Sequence, residues 1–254
     1  ALYENQMIGY LFNNIFPIRA GEFIRSFLLA KKYNFQTTFV FGTVILERFL
    51  DTLHIVFLTF LLLATGYLNE EIINSIALVT PSFIKEIPNN LFAFLFIVTA
   101  FFFILFILFR IILSHFSIGN KIKNAINNLF SGLSSINKED ILKVIFFGSL
   151  IWFIYWIDVY LIQYAFNLDL NLFQSLLILI LCTLIAAIPA SPGALGTFHL
   201  AVQYIMVDLL GFDYDISAAF AIVLHFYGYF TYNVFGFFHL IQGGYYKEVF
   251  QNNN

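Results

Sequence analysis

Apolar residues fall in blocks along this chain, separated by short polar stretches and Pro/Gly breaks. A helix needs roughly 20 apolar residues to cross the hydrocarbon core of a bilayer. Five runs approach or exceed that length: 37–64, 90–113, 142–166, 172–189 and 216–241. Two shorter segments, 8–30 and 197–210, are tied to a Pro/Gly break, and the second is too short to span. Both read as broken or re-entrant helices. The pattern predicts an all-α protein, a polytopic transmembrane helical bundle.

The two broken segments resemble each other. Residues 17–23 and 192–198 both fit P-x-x-x-G-x-F. Each is followed by an apolar half-helix, a polar turn with an aromatic (Asn34-Phe35 and Gly211-Phe212), and a full span. Counted from that aromatic, Arg48 matches His225. Repeat one covers about 8–64 and repeat two about 172–241, in one domain over 1–254. The first turn carries Lys31 and Lys32, the second Asp213 and Asp215, so the topology expected below inverts one repeat relative to the other. Inverted repeats with broken helices build many secondary transporters, whose sites lie between the repeats.

Composition agrees. The chain is 61% hydrophobic and 11% charged, where soluble domains carry about 25% charge. Mean hydropathy is +0.86. A soluble globular domain, a disordered chain and a nucleic-acid binder with a basic face are excluded. The single cysteine, Cys182, precludes a disulfide within the chain. No signal peptide is read at Ala1, and further N-terminal spans are expected ahead of it.

Charge then orients the bundle. Lys31, Lys32, Arg110, Lys121, Lys123, Lys138, Lys143 and Lys247 fall on one side, and Lys85 on the other, in the 66–89 connection. The positive-inside rule makes the first side cytoplasmic. Residues 114–143 read as the largest polar loop. The expected location is the cytoplasmic membrane of a prokaryote, with several passes.

Charged residues also lie within the apolar runs. A charge at mid-membrane costs roughly 2.5–3.5 kcal/mol on insertion scales, so such residues mark sites by default. Arg19, Glu22 and Arg25 recur at three-residue spacing. Glu47, Asp51 and His54 share one helical face, and Arg48 is within reach of Asp51. Asp158 adds a carboxylate. One reading is a buried ion-pair network that only fixes packing. The other is a polar cavity for a charged head group, because the planar arginine fork matches phosphate. The Pro189–Gly196 break frees backbone groups at membrane depth and then opens a half-helix whose N-terminus favours an anion. Ser191, Gly193 and Gly196 line that approach, with His199 near its mouth as a ligand or proton carrier. A simple turn that needs glycine for close packing fits the same residues. His54, His225 and His239 read as polar partners inside the bundle, and His115 as surface. No nucleotide, zinc-protease or nucleophile-elbow motif is present, and neither cofactor nor metal is expected.

Three segments together carry a family resemblance: Asn14-Ile-Phe-Pro-Ile-Arg-Ala-Gly-Glu-Phe-Ile-Arg25, Glu47-Arg48 with Asp51, and Ser191-Pro-Gly-Ala-Leu-Gly-Thr-Phe198. They resemble the lysylphosphatidylglycerol synthase transmembrane region, or flippase-like domain, over essentially the whole chain. Ala194 stands where that family often has glycine, and His199 where it often has glutamate. In the fused lysyl-lipid synthases this domain is thought to move the aminoacylated lipid between leaflets, while a separate soluble domain performs aminoacyl transfer. No such domain lies in these residues.

The resemblance implies a translocator of a phospholipid or a polyprenyl-phosphate-linked lipid. Arg19, Arg25 and Arg48 would hold the phosphate, and Glu22, Glu47 and Asp51 would orient them or meet a cationic head group. Two alternatives stay open. One is an integral membrane enzyme using Glu22 or Glu47 as base and His54 or His199 as proton carrier, although no catalytic motif supports it. The other is an accessory subunit of a lipid-modifying synthase or glycosyltransferase. Membrane lipids are the expected partners, and nucleic acid is not.

Overall fold

The computed structural model describes residues 2–16, 19–67, 120–187 and 191–243. The expected span at 90–113, most of the 66–89 connection, Pro17, Pro189, Arg110, His115 and Lys247 lie outside them. All regular structure among the described residues is helical. The α-helices are α1 (Leu2–Ile15), α2 (Gly21–Tyr33), α3 (Thr37–Ala64), α4 (Asn120–Leu133), α5 (Ile141–Ile162), α6 (Leu172–Ala187), α7 (Thr197–Tyr204) and α8 (Tyr214–Gln242).

Helix ends follow from local chemistry. The amide of Gly21 donates to Asn13 Oδ1 at 2.9 Å, so α1 caps α2. Asn34 closes α2 in the left-handed conformation, φ 55°, with Lys31 and Lys32 in the last turn where the helix dipole favours cations. Asn171 Oδ1 accepts the amides of Phe173 and Gln174, and Gln174 Oε1 accepts the amide of Asn171, a reciprocal cap on α6. Asp213 Oδ1 accepts two amides at the start of α8. Buried Gln163 clamps the turn ahead of α6 through both the amide and the carbonyl of Leu170.

Two differences from the sequence reading matter. The break in the segment 8–30 separates two helices, and the first of them starts earlier than read, at Leu2. The stretch read as a polar loop at 114–143 contains α4. Ala125, Ile126, Leu129, Phe130 and Leu133 repeat at helical spacing, so one face is apolar despite the asparagines and lysines. It packs on α3 through facing glycines: a Cβ on Gly42 would collide with the carbonyl of Leu129, and one on Gly132 with that of Phe39.

Helix α1 lies between α2 and α8. A Cβ on Gly21 would overlap the carbonyl oxygen of Gly9, and one on Gly236 would come within 2.6 Å of that of Met7. The main apolar core joins the end of α3 to α5, α6, α7 and α8 around Leu62, Trp152, Ile178, Val202 and Phe220. A smaller cluster of Ile8, Leu11, Phe12, Leu28 and Leu240 joins α1, α2 and α8.

Lys138–Phe166 and Tyr214–Gln242 are long and apolar enough to cross a membrane by length and composition. Their outward faces are lined by exposed aromatics such as Phe146, Phe153, Phe226 and Phe237. Apolar surface of that extent suits lipid rather than water.

The two P-x-x-x-G-x-F segments share a left-handed residue at their third position, although Gly196 has φ 85° where Gly21 is helical. Arg19 and Ala194, third in each, have φ 52° and 56°. Asn34 and Gly211, just ahead of the turn aromatics, have φ 55° and 74°. Helices α3 and α8 both begin two residues after those aromatics, each behind an extended N-cap residue. Between the half-helix α7 and its turn lies a π-helical stretch, Ile205–Leu209, with no counterpart after α2.

Candidate functional site

Helices α2 and α3 bring six of the sequence-predicted charges into one network. Glu47 lies between two arginines. Its Oε2 accepts from Arg25 Nη2 at 2.9 Å, and its Oε1 pairs with Arg48 Nη2. Arg48 also holds Asp51 Oδ2 at 3.1 Å, one helical turn on. Glu22 Oε1 lies 3.9 Å from both Arg19 Nη1 and Arg48 Nε, linking the start of α2 to α3. Three cations thus face three carboxylates, close to the near-neutral set the sequence suggested. Asp158, expected among them, joins no ion pair among the described residues; it sits on α5, away from α2.

Burial is uneven across the network. The Arg25 side chain is only 9% exposed, while that of Glu47 is 41% exposed. Gln6 on α1 accepts a hydrogen bond from Arg25 Nη1. The Nε atoms of Arg25 and Arg48 are buried without an acceptor, and so is Nδ2 of Asn14. A buried unmet donor costs about 1–3 kcal/mol, so such groups call for an explanation. The network borders a narrow cleft of about 10 Å³ lined by Gln6, Gly9, Tyr10, Asn13, Glu22, Arg25 and Arg48.

Helix α5 braces α3. The Trp152 indole N–H donates to Asp51 Oδ1 at 3.3 Å. His54 Nδ1 lies 2.8 Å from Leu50 O, and its Nε2 lies 3.3 Å from Ser149 Oγ. Gly148 makes room for that imidazole, since a Cβ there would come within 2.7 Å of it.

The four remaining predicted residues form a second cluster. Ser191 Oγ donates to Leu195 O at 2.8 Å. The Gly196 amide donates to His199 Nδ1 at 3.3 Å, and the amides of Ala194 and Leu195 are taken by Ser191 and Pro192 carbonyls. His199 therefore does at the third helical position what glutamate does in a capping box. That accounts for a histidine where the resembling family often has glutamate. With these amides engaged, the break offers an anion few backbone donors unless His199 turns away. His225 Nε2 lies 2.9 Å from Gly193 O, and its ring stacks on Phe198 and meets His199 edge-on.

The two breaks meet. Arg19 Nη2 donates to Ala186 O, at the end of α6, at 3.4 Å. A Cβ on Gly193 would lie 3.3 Å from Asn14 O and 2.6 Å from the Tyr229 ring. Tyr10, which lines the arginine cleft, packs on Tyr232 of α8 at 4.5 Å between ring centroids. Sequence reasoning missed Gln6, Asn13 and Trp152 as site residues. Each acts across helices, and no spacing within one helix encodes such a contact.

A family model described as "Lysylphosphatidylglycerol synthase TM region" matches residues 1–236. A UPF0104 membrane protein of Methanocaldococcus jannaschii is 28% identical over 242 residues, covering 93% of this chain and 96% of that protein. A UPF0104 membrane protein of Methanothermobacter thermautotrophicus is 25% identical over 244 residues, covering 87% of this chain and 69% of that protein. No solved structure matches.

Proposed function

The chain belongs to the lysylphosphatidylglycerol synthase transmembrane-region family and is a membrane protein, and from that premise we propose that it translocates a phosphate-bearing lipid between leaflets. The lipid is a phospholipid or a polyprenyl-phosphate-linked carrier. One observation carries the reading. A deeply buried arginine and its neighbour line a cleft between α1, α2 and α3 while each keeps a buried Nε donor without an acceptor. Arginine pairs of this kind bind phosphate bidentately.

Arg25 and Arg48 hold the phosphate, with Arg19 at the entrance. Glu22 and Asp51 set the arginine geometry, and Glu47 lies between Arg25 and Arg48. The acyl chains stay in lipid along the phenylalanine-rich faces of α5 and α8.

The architecture is a multi-pass bundle of two inverted repeats with broken or re-entrant helices, in the cytoplasmic membrane of a prokaryote. Matching left-handed residues at 19/194 and 34/211 support the repeat, as do the matching starts of α3 and α8. The equivalent residues Arg48 and His225 each reach back to their own break segment, to Glu22 and to Gly193. Secondary transporters built this way carry their site where the repeats meet, and here the two breaks touch through Arg19 and Ala186. At about 10 Å³ the cleft is far below the 300–1,000 Å³ of an ordinary ligand pocket, so a head group enters when the breaks part. No nucleotide-binding motif is present in the sequence. Movement is then downhill, or driven by an ion gradient or a partner synthase or glycosyltransferase.

The test is leaflet exchange of head-group-labelled lipids in liposomes, comparing the wild type with Arg48→Ala and Gly196→Leu. Exchange above empty liposomes, lost in both variants, supports the reading. No exchange of any lipid tried sinks translocation. Exchange untouched by either variant sinks this site.

A further inference from the structure

We propose that the carboxylate of Glu47 occupies the seat a phosphate group takes on binding, so that Glu47 is an internal plug which the ligand displaces. The inference rests on the arginine cluster being a phosphate site and adds how that site is held closed.

Glu47 spans Arg25 and Arg48 with one oxygen on a terminal nitrogen of each. That is the placement of an anion clamped between two guanidinium groups. It is an incomplete match. Two oxygens engage one nitrogen on each arginine, and both Nε donors stay buried without a hydrogen-bond acceptor, Glu22 Oε1 lying 3.9 Å from that of Arg48. Inorganic phosphate and a monoester carry at least three non-bridging oxygens, and a diester carries two on a larger tetrahedral centre beside its bridging oxygens, so either can reach the Nε groups that a planar carboxylate leaves unmet.

The partners also differ in freedom. Arg25 is nine-tenths buried and anchored by Gln6, while two-fifths of Glu47 is exposed. Displacement therefore moves the carboxylate outward and leaves the cations in place. Asp51 and Glu22 do not share this position. Asp51 touches Arg48 but makes no ion pair with Arg25, and it is fixed by Trp152. Glu22 lies 3.9 Å from its arginines. A seat free for only a tenth of the time weakens apparent affinity about tenfold.

The experiment titrates the purified full chain in detergent with inorganic phosphate and, separately, with dihexanoyl phosphatidylglycerol. Glu47→Gln is expected to bind at least one probe about tenfold more tightly than the wild type. Asp158→Asn removes an equal charge on α5, outside the network, and is expected to change affinity less than about fivefold. Tightening with phosphate alone assigns the seat to a free anion, and tightening with the lipid assigns it to a head group. Both support the plug. Equal tightening in the two variants reduces the effect to charge and overturns it, as does failure of Glu47→Gln to bind either probe.

A measurement on the wild type needs no variant to fold. Carbodiimide labelling read by mass spectrometry is expected to rise at Glu47 when the probe is added and to stay level at exposed Glu139. No rise at Glu47 overturns the proposal. The two readings fail separately. Arginine-dependent exchange in liposomes with no tightening in Glu47→Gln removes the plug and leaves translocation. Tightening without exchange does the reverse.

Discussion

Trp152 and Asp51 tie α5 to α3: the indole donates to one carboxylate oxygen at 3.3 Å while the other holds Arg48 at 3.1 Å. The apolar helix α5 thereby helps to set the position of Arg48 through Asp51. Trp152→Phe removes the donor and some buried volume. A hydrogen bond to a charged group contributes about 1.5–3 kcal/mol, so thermal unfolding in detergent is expected to show a loss of about 2 kcal/mol, with slower leaflet exchange. An unchanged melting temperature would mean that the contact is incidental.

Gly21 and Gly228 make a matched pair. Gly21→Ala drives a methyl group into the Gly9 carbonyl and to 2.8 Å from Asn13 Oδ1, the cap of α2. Overpacking of this kind costs about 1–3 kcal/mol. Gly228→Ala meets only the edge of Tyr232 at 3.8 Å. It is expected to stabilise α8 by about 0.5–1 kcal/mol, because glycine is a poor helix former. Opposite shifts in melting temperature check both.

Ala194 stands in a left-handed conformation that costs an L-residue roughly 1–2 kcal/mol. Glycine relieves that strain but adds roughly 0.5–1 kcal/mol of freedom to the unfolded chain. Ala194→Gly is expected to be net stabilising by about 0.5–1 kcal/mol. Next to it, Gly193→Ala combines φ 58° with a contact at 2.6 Å to Tyr229 and is expected to destabilise by about 1–3 kcal/mol. Denaturant midpoints of the two variants moving in the same direction would refute this account of the break.

His199 gives the sharpest exchange test. His199→Ala removes the acceptor for the Gly196 amide and is expected to cost about 0.5–2 kcal/mol. His199→Glu keeps an acceptor at the same helical position and is expected to stay near the wild type. Amide hydrogen exchange at Gly196 distinguishes them: protection falls in the first variant and holds in the second. If both variants lose leaflet exchange while keeping protection, the imidazole acts on the ligand rather than on the cap.

Helices were legible where an apolar run met a clear stop. The run read as 37–64 is Thr37–Ala64, opened after Asn34-Phe35-Gln36 and closed before Gly66. The start of α1 was not legible, because Tyr3, Glu4, Asn5 and Gln6 look like a polar leader. They are helical because α1 is packed between α2 and α8. Helix α4 was legible in its apolar spacing and was hidden only by its asparagines and lysines. The site divides the same way. Arg48–Asp51 is one helical turn, whereas Arg25–Glu47, Arg25–Gln6 and Trp152–Asp51 join different helices, and no local pattern encodes them.

The π-helical stretch Ile205–Leu209 does not lengthen the half-helix it ends, because Thr197–Leu209 has as many residues as α2. Two more residues separate Gly196 from Gly211 than separate Gly21 from Asn34. They stand at the two ends of that stretch: Gly196 precedes α7 where Gly21 opens α2, and Leu210 follows the π turn. Tyr214 still opens α8 where Thr37 opens α3, and His225 still lies 2.9 Å from Gly193 O. Chain length therefore drifts at the ends of the half-helix, where an added residue leaves the helix that follows in register.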